Sequence, residues 1–145
     1  MSVGRICTRE EDLASADENV WQAAERMHQR AVGTLVVVDD DKIPVGIITD
    51  RDLVERVLAK ALDPTTTTIG DVMTRAPETV SEQDPIEQAI TVMRRERCRR
   101  LPVTGESGQL VGLLSLDDVL QLLAEELTSV GQLLERQTPR AAVQA

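Results

Sequence analysis

Displaced by 66 residues, the separation of Gly46 from Gly112, the chain pairs with itself without a gap over most of its 145 residues. Identities recur along the whole overlap: Gly4 with Gly70, Thr8 with Thr74, Ser15 with Ser81, Gln22 with Gln88, Met27 with Met93, Leu35 with Leu101 and Asp52 with Asp118. Conservative pairs fill the spaces between them, among them Val3/Ile69, Val37/Val103, Ile47/Leu113 and Thr49/Ser115. The unit exceeds the roughly 20–50 residues of a solenoid repeat, so two copies imply a pseudo-twofold pair with its natural site in the cleft between them. A unit of about 60 residues alone buries only about 60% of its unfolded surface, so the copies should fold together.

Within each copy the apolar pattern changes period in the same order. In the second, Pro77 to Val80 is a short strand candidate, followed by a helix carrying Ile86, Ala89, Ile90 and Met93 at helical spacing. Two apolar runs split by Gly105 and Gly108 read as a hairpin, and "LDDVLQLLAEEL" returns to helical period. The first copy repeats this with Leu13 and Ala14, then Val20 to Met27, then "TLVVV" and "VGIIT" around "DDDKIP", then "DLVERVLAKAL". Each unit is thus βαββα, an α+β fold, with copy one at 1–62, a linker at 63–68 and copy two at 69–127. "LVVV" and "GII" are too uniformly apolar for strands wetted on one face, which predicts cover on both. The last helix continues through Leu122, Leu123, Leu127, Val130, Leu133 and Leu134, a surplus apolar stripe that runs into a C-terminal extension at 128–145 ending in a frayed tail at "RQTPRAAVQA".

Charge and composition narrow the partners. A net charge of −9 disfavours duplex DNA, and with Phe and Tyr absent and Trp21 the only aromatic, stacking platforms for single strands are missing. No stretch approaches the roughly 20 apolar residues that span a bilayer and "MSVGRICTREED" does not resemble a signal peptide, so a cytoplasmic protein is expected. Cys7 aligns with Met73 and Cys98 with Val32, apolar slots that favour buried thiols over a disulfide or metal ligands.

The most telling repeat is "GIITDRD" at Gly46–Asp52 and "GLLSLDD" at Gly112–Asp118. Thr49-x-x-Asp52 and Ser115-x-x-Asp118 fit a helix-start capping pattern, in which the hydroxyl and the carboxylate satisfy orphan N–H groups. Ser81-x-x-Asp84 and Thr8-x-x-Glu11 match it too, so the pattern alone is not a site. Here, however, it follows an apolar strand in both copies, and strand ends opening onto helix N-termini suit anions, while an ionised Asp can accept from a ribose diol.

Together with "RRLPV" at Arg99–Val103 and "IGDVMTR" at Ile69–Arg75, these sentences make the span from Val3 to Leu127 resemble a tandem pair of cystathionine-beta-synthase (CBS) domains, a Bateman module packed sheet to sheet. The resemblance implies a regulatory, non-catalytic module that binds adenosyl ligands in two clefts, AMP or ATP above all, with NAD and S-adenosylmethionine also open. It places Asp52 and Asp118 on ribose hydroxyls, Thr49 and Ser115 on ribose or phosphate, and Arg99 and Arg100 on phosphates. The Asp118 cleft would draw on Thr8 to Ala14, the Asp52 cleft on Thr74 to Val80 and on Arg100, with Arg51 a further phosphate candidate. Gly33 and Thr34 stand where copy two has Arg99 and Arg100, so equal affinity is not expected. The resemblance also implies a homodimer and an effector protein.

Other candidates carry less. Arg94, Arg95 and Arg97 read as a solvated helix end, and His28, aligned with Arg94, as an exposed residue. No nucleophile stands beside a base, which leaves an enzyme the weaker class. Trp21 aligns with Glu87 and should meet either its own subunit or a dimer partner. A ligand-independent dimeric scaffold, and a zinc-binding stress protein built on His28, Cys7 and Cys98, remain as alternatives.

Overall fold

The computed structural model describes residues 1–9 and 12–137. Strand β1 (Leu13–Ala14) leads through α1 (Val20–Arg30) to the hairpin β2 (Thr34–Val38) and β3 (Pro44–Thr49), then to α2 (Asp50–Leu53). After α3 (Ile69–Val72) and β4 (Thr74–Arg75) the order recurs as β5 (Val80–Ser81), α4 (Ile86–Glu96), β6 (Arg100–Thr104), β7 (Leu110–Ser115) and α5 (Leu116–Gln137). Strand β5 thus starts at the last residue of the expected Pro77–Val80 strand, Pro77 having no N–H to give a ladder. Helix α5 runs through Arg136 and Gln137, which the sequence had put in the tail; the rest of that tail, and Glu11 of the Thr8 capping pattern, lie outside the described residues.

In each copy the first strand pairs in parallel with the second, Leu13 opposite Val36 and Val80 opposite Val103, with the helix as crossover. The hairpins then pair antiparallel in the same register, Thr34 opposite Thr49 and Arg100 opposite Ser115. Amphipathic α1 buries Val20, Ala23 and Met27, and α4 buries Ile86, Ala89 and Met93 at the matching positions. The two faces of β2 are buried in different places: Leu35 and Val37 join the helix-side core, whereas Thr34 and Val36, also buried, stand outside that cluster. Those two residues border the space between the copies, so both faces of β2 are covered, as its uniform apolarity predicted. The Lys42 carbonyl accepts from Leu110 N–H at 2.8 Å, which joins one hairpin to the other.

The opening segments, however, are exchanged. Val3 packs in the core of the second copy, and Ile69, Val72 and Met73 pack in that of the first. The hydrogen bonds repeat the exchange at the same offset. Val3 and Gly4 donate to Asp84 and Glu82 carbonyls, each at 2.9 Å; Ile69 and Gly70 donate to Glu18 and Ala16, each at 2.8 Å. Strand β4 is consequently the edge of the first copy's sheet, with Thr74 opposite Ile47, and Thr8 bridges Leu113 of the second.

This crossing explains the repeated glycine. A Cβ on Gly46 would meet the Met73 side chain, and one on Gly112 would stand 2.7 Å from Thr8 O and 3.0 Å from Cys7 Sγ. At Gly112 the contact is with backbone, and only a residue without a side chain lets a neighbouring segment pass this close over a strand.

Candidate functional site

Each β3-to-α2 and β7-to-α5 junction closes with a reciprocal cap. Thr49 Oγ1 accepts from Asp52 N–H at 3.2 Å while Asp52 Oδ2 accepts from Thr49 N–H at 2.9 Å. Ser115 Oγ and Asp118 Oδ2 do the same at 3.1 and 2.8 Å. Such a cap contributes about 1 kcal/mol and fixes the carboxylate. Each Asp therefore stands at a strand end with one oxygen committed to the backbone.

Two clefts open beside these caps, and each takes walls from both copies. One is bordered by Asp118 and Ser115 together with Thr8, Asp12, Gly33, Thr34 and Arg100; the other by Asp52 and Thr49 together with Thr74–Glu78, Cys98, Arg99 and Arg100. The leading segments border the clefts expected of them because the exchange carries Thr8 to β7 and Thr74 to β3.

Two expected residues stand elsewhere. Val80 is 2% exposed, packed in the second core where β5 pairs with β6, so its side chain borders neither cleft. Arg51 points outward and pairs with Glu55 at 2.7 Å one helical turn on. Arg99 reaches the Asp52 cleft but stays largely exposed, 4.0 Å from Asp117.

The clefts differ in charge. Arg56 Nε lies 3.6 Å from Asp52 Oδ1, while its other nitrogens donate to the Val72 carbonyl at 2.7 Å and to Thr74 Oγ1 at 3.3 Å. The corresponding residue of copy two is Leu122, and among the described residues Asp118 Oδ1 has no partner. Beyond α2 the first copy also winds into a π-helical turn at Val54–Leu58, where α5 stays regular.

Thr34, which in the sequence marks only the missing arginine of copy one, has a place of its own in the structure. It borders both clefts, is 5% exposed, and its hydroxyl has no hydrogen-bond partner among the described residues. An unsatisfied buried hydroxyl costs about 1–3 kcal/mol, which marks the position as one that a ligand can complete. Its sequence signal was its place: Thr34 is the exact counterpart of Arg100.

The remaining candidates are peripheral. His28 is exposed and Trp21 is 52% exposed. Cys7 and Cys98 are free but only partly buried, correcting the expectation of buried thiols, since each lies at the margin of the second core; desolvation raises both above the ordinary value of 9.0. Among the described residues no three His, Cys, Asp or Glu side chains converge as a metal site, and no helix is long and apolar enough to cross a membrane.

Two βαββα units, duplicated in sequence and enclosing paired strand-end clefts, define a tandem-repeat α+β architecture. The chain belongs to the CBS domain family, whose model matches it twice, over residues 3–59 and 69–125. Among curated relatives, it is 33% identical to hypoxic response protein 1 of Mycobacterium tuberculosis over 86% of this chain and 82% of that one. It is 32% identical to an uncharacterised Methanopyrus kandleri protein, of whose length it spans 62%. Among solved structures it resembles a CBS domain pair in complex with 5-methylthioadenosine and S-adenosyl-L-methionine, with a TM-score of 0.77 and 25% identity over 87% of this chain and 98% of that one. Similar scores join it to CBSX2 in complex with AMP, 0.74 and 28% over 86% and 96%, and to Hypoxic Response Protein I with two coordinated zinc ions, 0.76 and 30% over 83% and 98%.

Proposed function

We propose that this protein is a non-catalytic sensor of adenine nucleotides, AMP or ATP, that binds them across its two copies and passes the resulting rearrangement to an effector protein. The observation that carries the reading is Asp118: a carboxylate fixed through Oδ2, with Oδ1 unpartnered among the described residues, in the same cleft as Arg100. A ribose diol matches the free carboxylate edge, and a guanidinium suits a phosphate. The ligands named in the AMP and S-adenosyl-L-methionine complexes share that adenosyl ribose and support the class. A ligand acts on the effector only so far as it prefers one arrangement of the copies over another.

The protein works as a homodimer. Leu120, Leu123, Leu127, Val130 and Leu134 are about half exposed or more and alternate by three and four residues along α5, the spacing of a coiled-coil seam. Its two free thiols suit a reducing compartment such as the cytoplasm. The same seam favours the second reading, a scaffold that dimerises without any ligand.

Calorimetric titration of AMP, ATP, NAD and S-adenosylmethionine into the native protein and into the Asp52→Ala and Asp118→Ala variants separates the two. Saturable binding that one or both variants lose at the substituted cleft supports the sensor. Absence of heat and of any melting shift with all four compounds leaves the scaffold.

A further inference from the structure

Arg100 borders both clefts, and so does its pseudosymmetric counterpart Thr34. The register explains how. Thr34 stands cross-strand from Thr49 of one cap and Arg100 from Ser115 of the other, so each opens a central strand beside its own cap and reaches the sister cleft as well. Had the duplication remained symmetric, each cleft would own a cation at this point. Instead one guanidinium, without an ion pair among the described residues, and one orphaned hydroxyl occupy the wall common to both.

The surrounding charges make the sharing matter. Beside the Asp118 cleft stand Asp12, already paired with Arg30, and Asp118 itself; Arg100 is the one cation among its described lining residues. The Asp52 cleft has Arg75 and Arg99 as well, opposed by Glu78 and Glu96. A phosphate in the Asp52 cleft that draws Arg100 toward itself leaves the Asp118 cleft with carboxylates alone, and linkage makes the penalty equal in the other direction.

Resting on the sensor reading above, we infer that Arg100 and the Thr34 hydroxyl form a single phosphate seat shared by the two clefts, so that phosphate-bearing ligands bind them anti-cooperatively. The pair then responds to a nucleotide mainly as a one-site device.

The test needs AMP alone. Asp52→Ala and Asp118→Ala each leave one cleft and give its intrinsic constant; the native protein gives the stepwise constants. The second AMP should bind about tenfold more weakly than the single-cleft constants require, within the usual range of allosteric couplings. Arg100→Gln, at an exposed position, should abolish that discrepancy while lowering affinity at both clefts. Thr34→Val should weaken AMP with no loss of melting temperature, because it removes an unsatisfied hydroxyl from a buried site. Native constants equal to the independent single-cleft values would overturn the inference, as would AMP binding to only one of the two single-cleft variants. Unchanged AMP affinity in Thr34→Val would remove the hydroxyl from the seat. Failure of the native protein to bind AMP at all would strike the sensor reading instead.

Discussion

The Asp52 and Asp118 clefts share a backbone and differ in a few side chains. Both are closed by a reciprocal hydroxyl–carboxylate cap, both receive the other copy's opening segment, and both abut Arg100. Yet Asp52 has Arg56 at 3.6 Å where Asp118 has Leu122, and the helix behind Asp52 turns π-helical where α5 continues regular. The contrast separates what a duplicated fold must keep from what it can alter. The caps and glycines hold the backbone in place, so they recur; the charges around them are free to diverge.

The glycines offer the largest break in that symmetry. Gly112→Ala should cost about 1–3 kcal/mol by overpacking, since its Cβ meets the Thr8 backbone oxygen, which cannot move without dragging the exchanged segment. Gly46→Ala meets only the Met73 side chain, which can turn aside, and should cost less. Thermal unfolding of the two variants reads the difference, and equal losses would count against the crossing as described.

Next in size, Asp118→Ala should weaken adenosyl binding about tenfold or more, ~1.4 kcal/mol, and by more than Asp52→Ala does. A smaller effect should come from Arg56→Leu, which gives copy one the residue of copy two. With its internal cation gone, Asp52 should gain a few-fold in affinity for adenosine, in keeping with the roughly 0–1 kcal/mol of an ion pair whose cation is solvated. Calorimetry on the Asp118→Ala background isolates that cleft, and a fall in affinity would show Arg56 serving the ligand rather than opposing it.

The smallest difference lies outside the clefts. Glu18 accepts from Arg26 at 2.6 Å in copy one, where copy two has Asp84 and Val92. The Arg26 hydrogen bond holds the Glu18 carboxyl below its ordinary value of 4.5. A depressed folded value means that the pair's stability is fully present above that ordinary value and is lost as pH falls through the folded one. Urea unfolding of Glu18→Gln should thus show a deficit below about 1 kcal/mol at neutral pH that vanishes in acid.

Most of the architecture was legible because the duplication reports twice on every element. Caps, hairpins, helices and the Asp-centred clefts could each be checked against a sister 66 residues away. The exchange of opening segments was not legible for the same reason. Val3 and Ile69 trade places symmetrically, and an alignment of the chain with itself reads the same whether each packs at home or next door. Val80 and Arg51 stand outside the clefts because a strand's alternation and a helix's outward face decide direction, which spacing along the chain leaves open. Arg56 was missed since its tie to Val72 and Thr74 depends on that exchange, and Thr34 because an unsatisfied hydroxyl is a property of surroundings.

The crossing of Met1–Thr8 and Ile69–Arg75 also bears on how the molecule is made. During synthesis Val3 and Gly4 have no partners until Glu82 and Asp84 are made, Thr8 has none until β7 appears more than a hundred residues after it, and the first sheet lacks its edge until β4. Closing such long loops slows folding and holds it back until β7 has been made. Neither half can then be excised as an autonomous piece, and the two should melt as one.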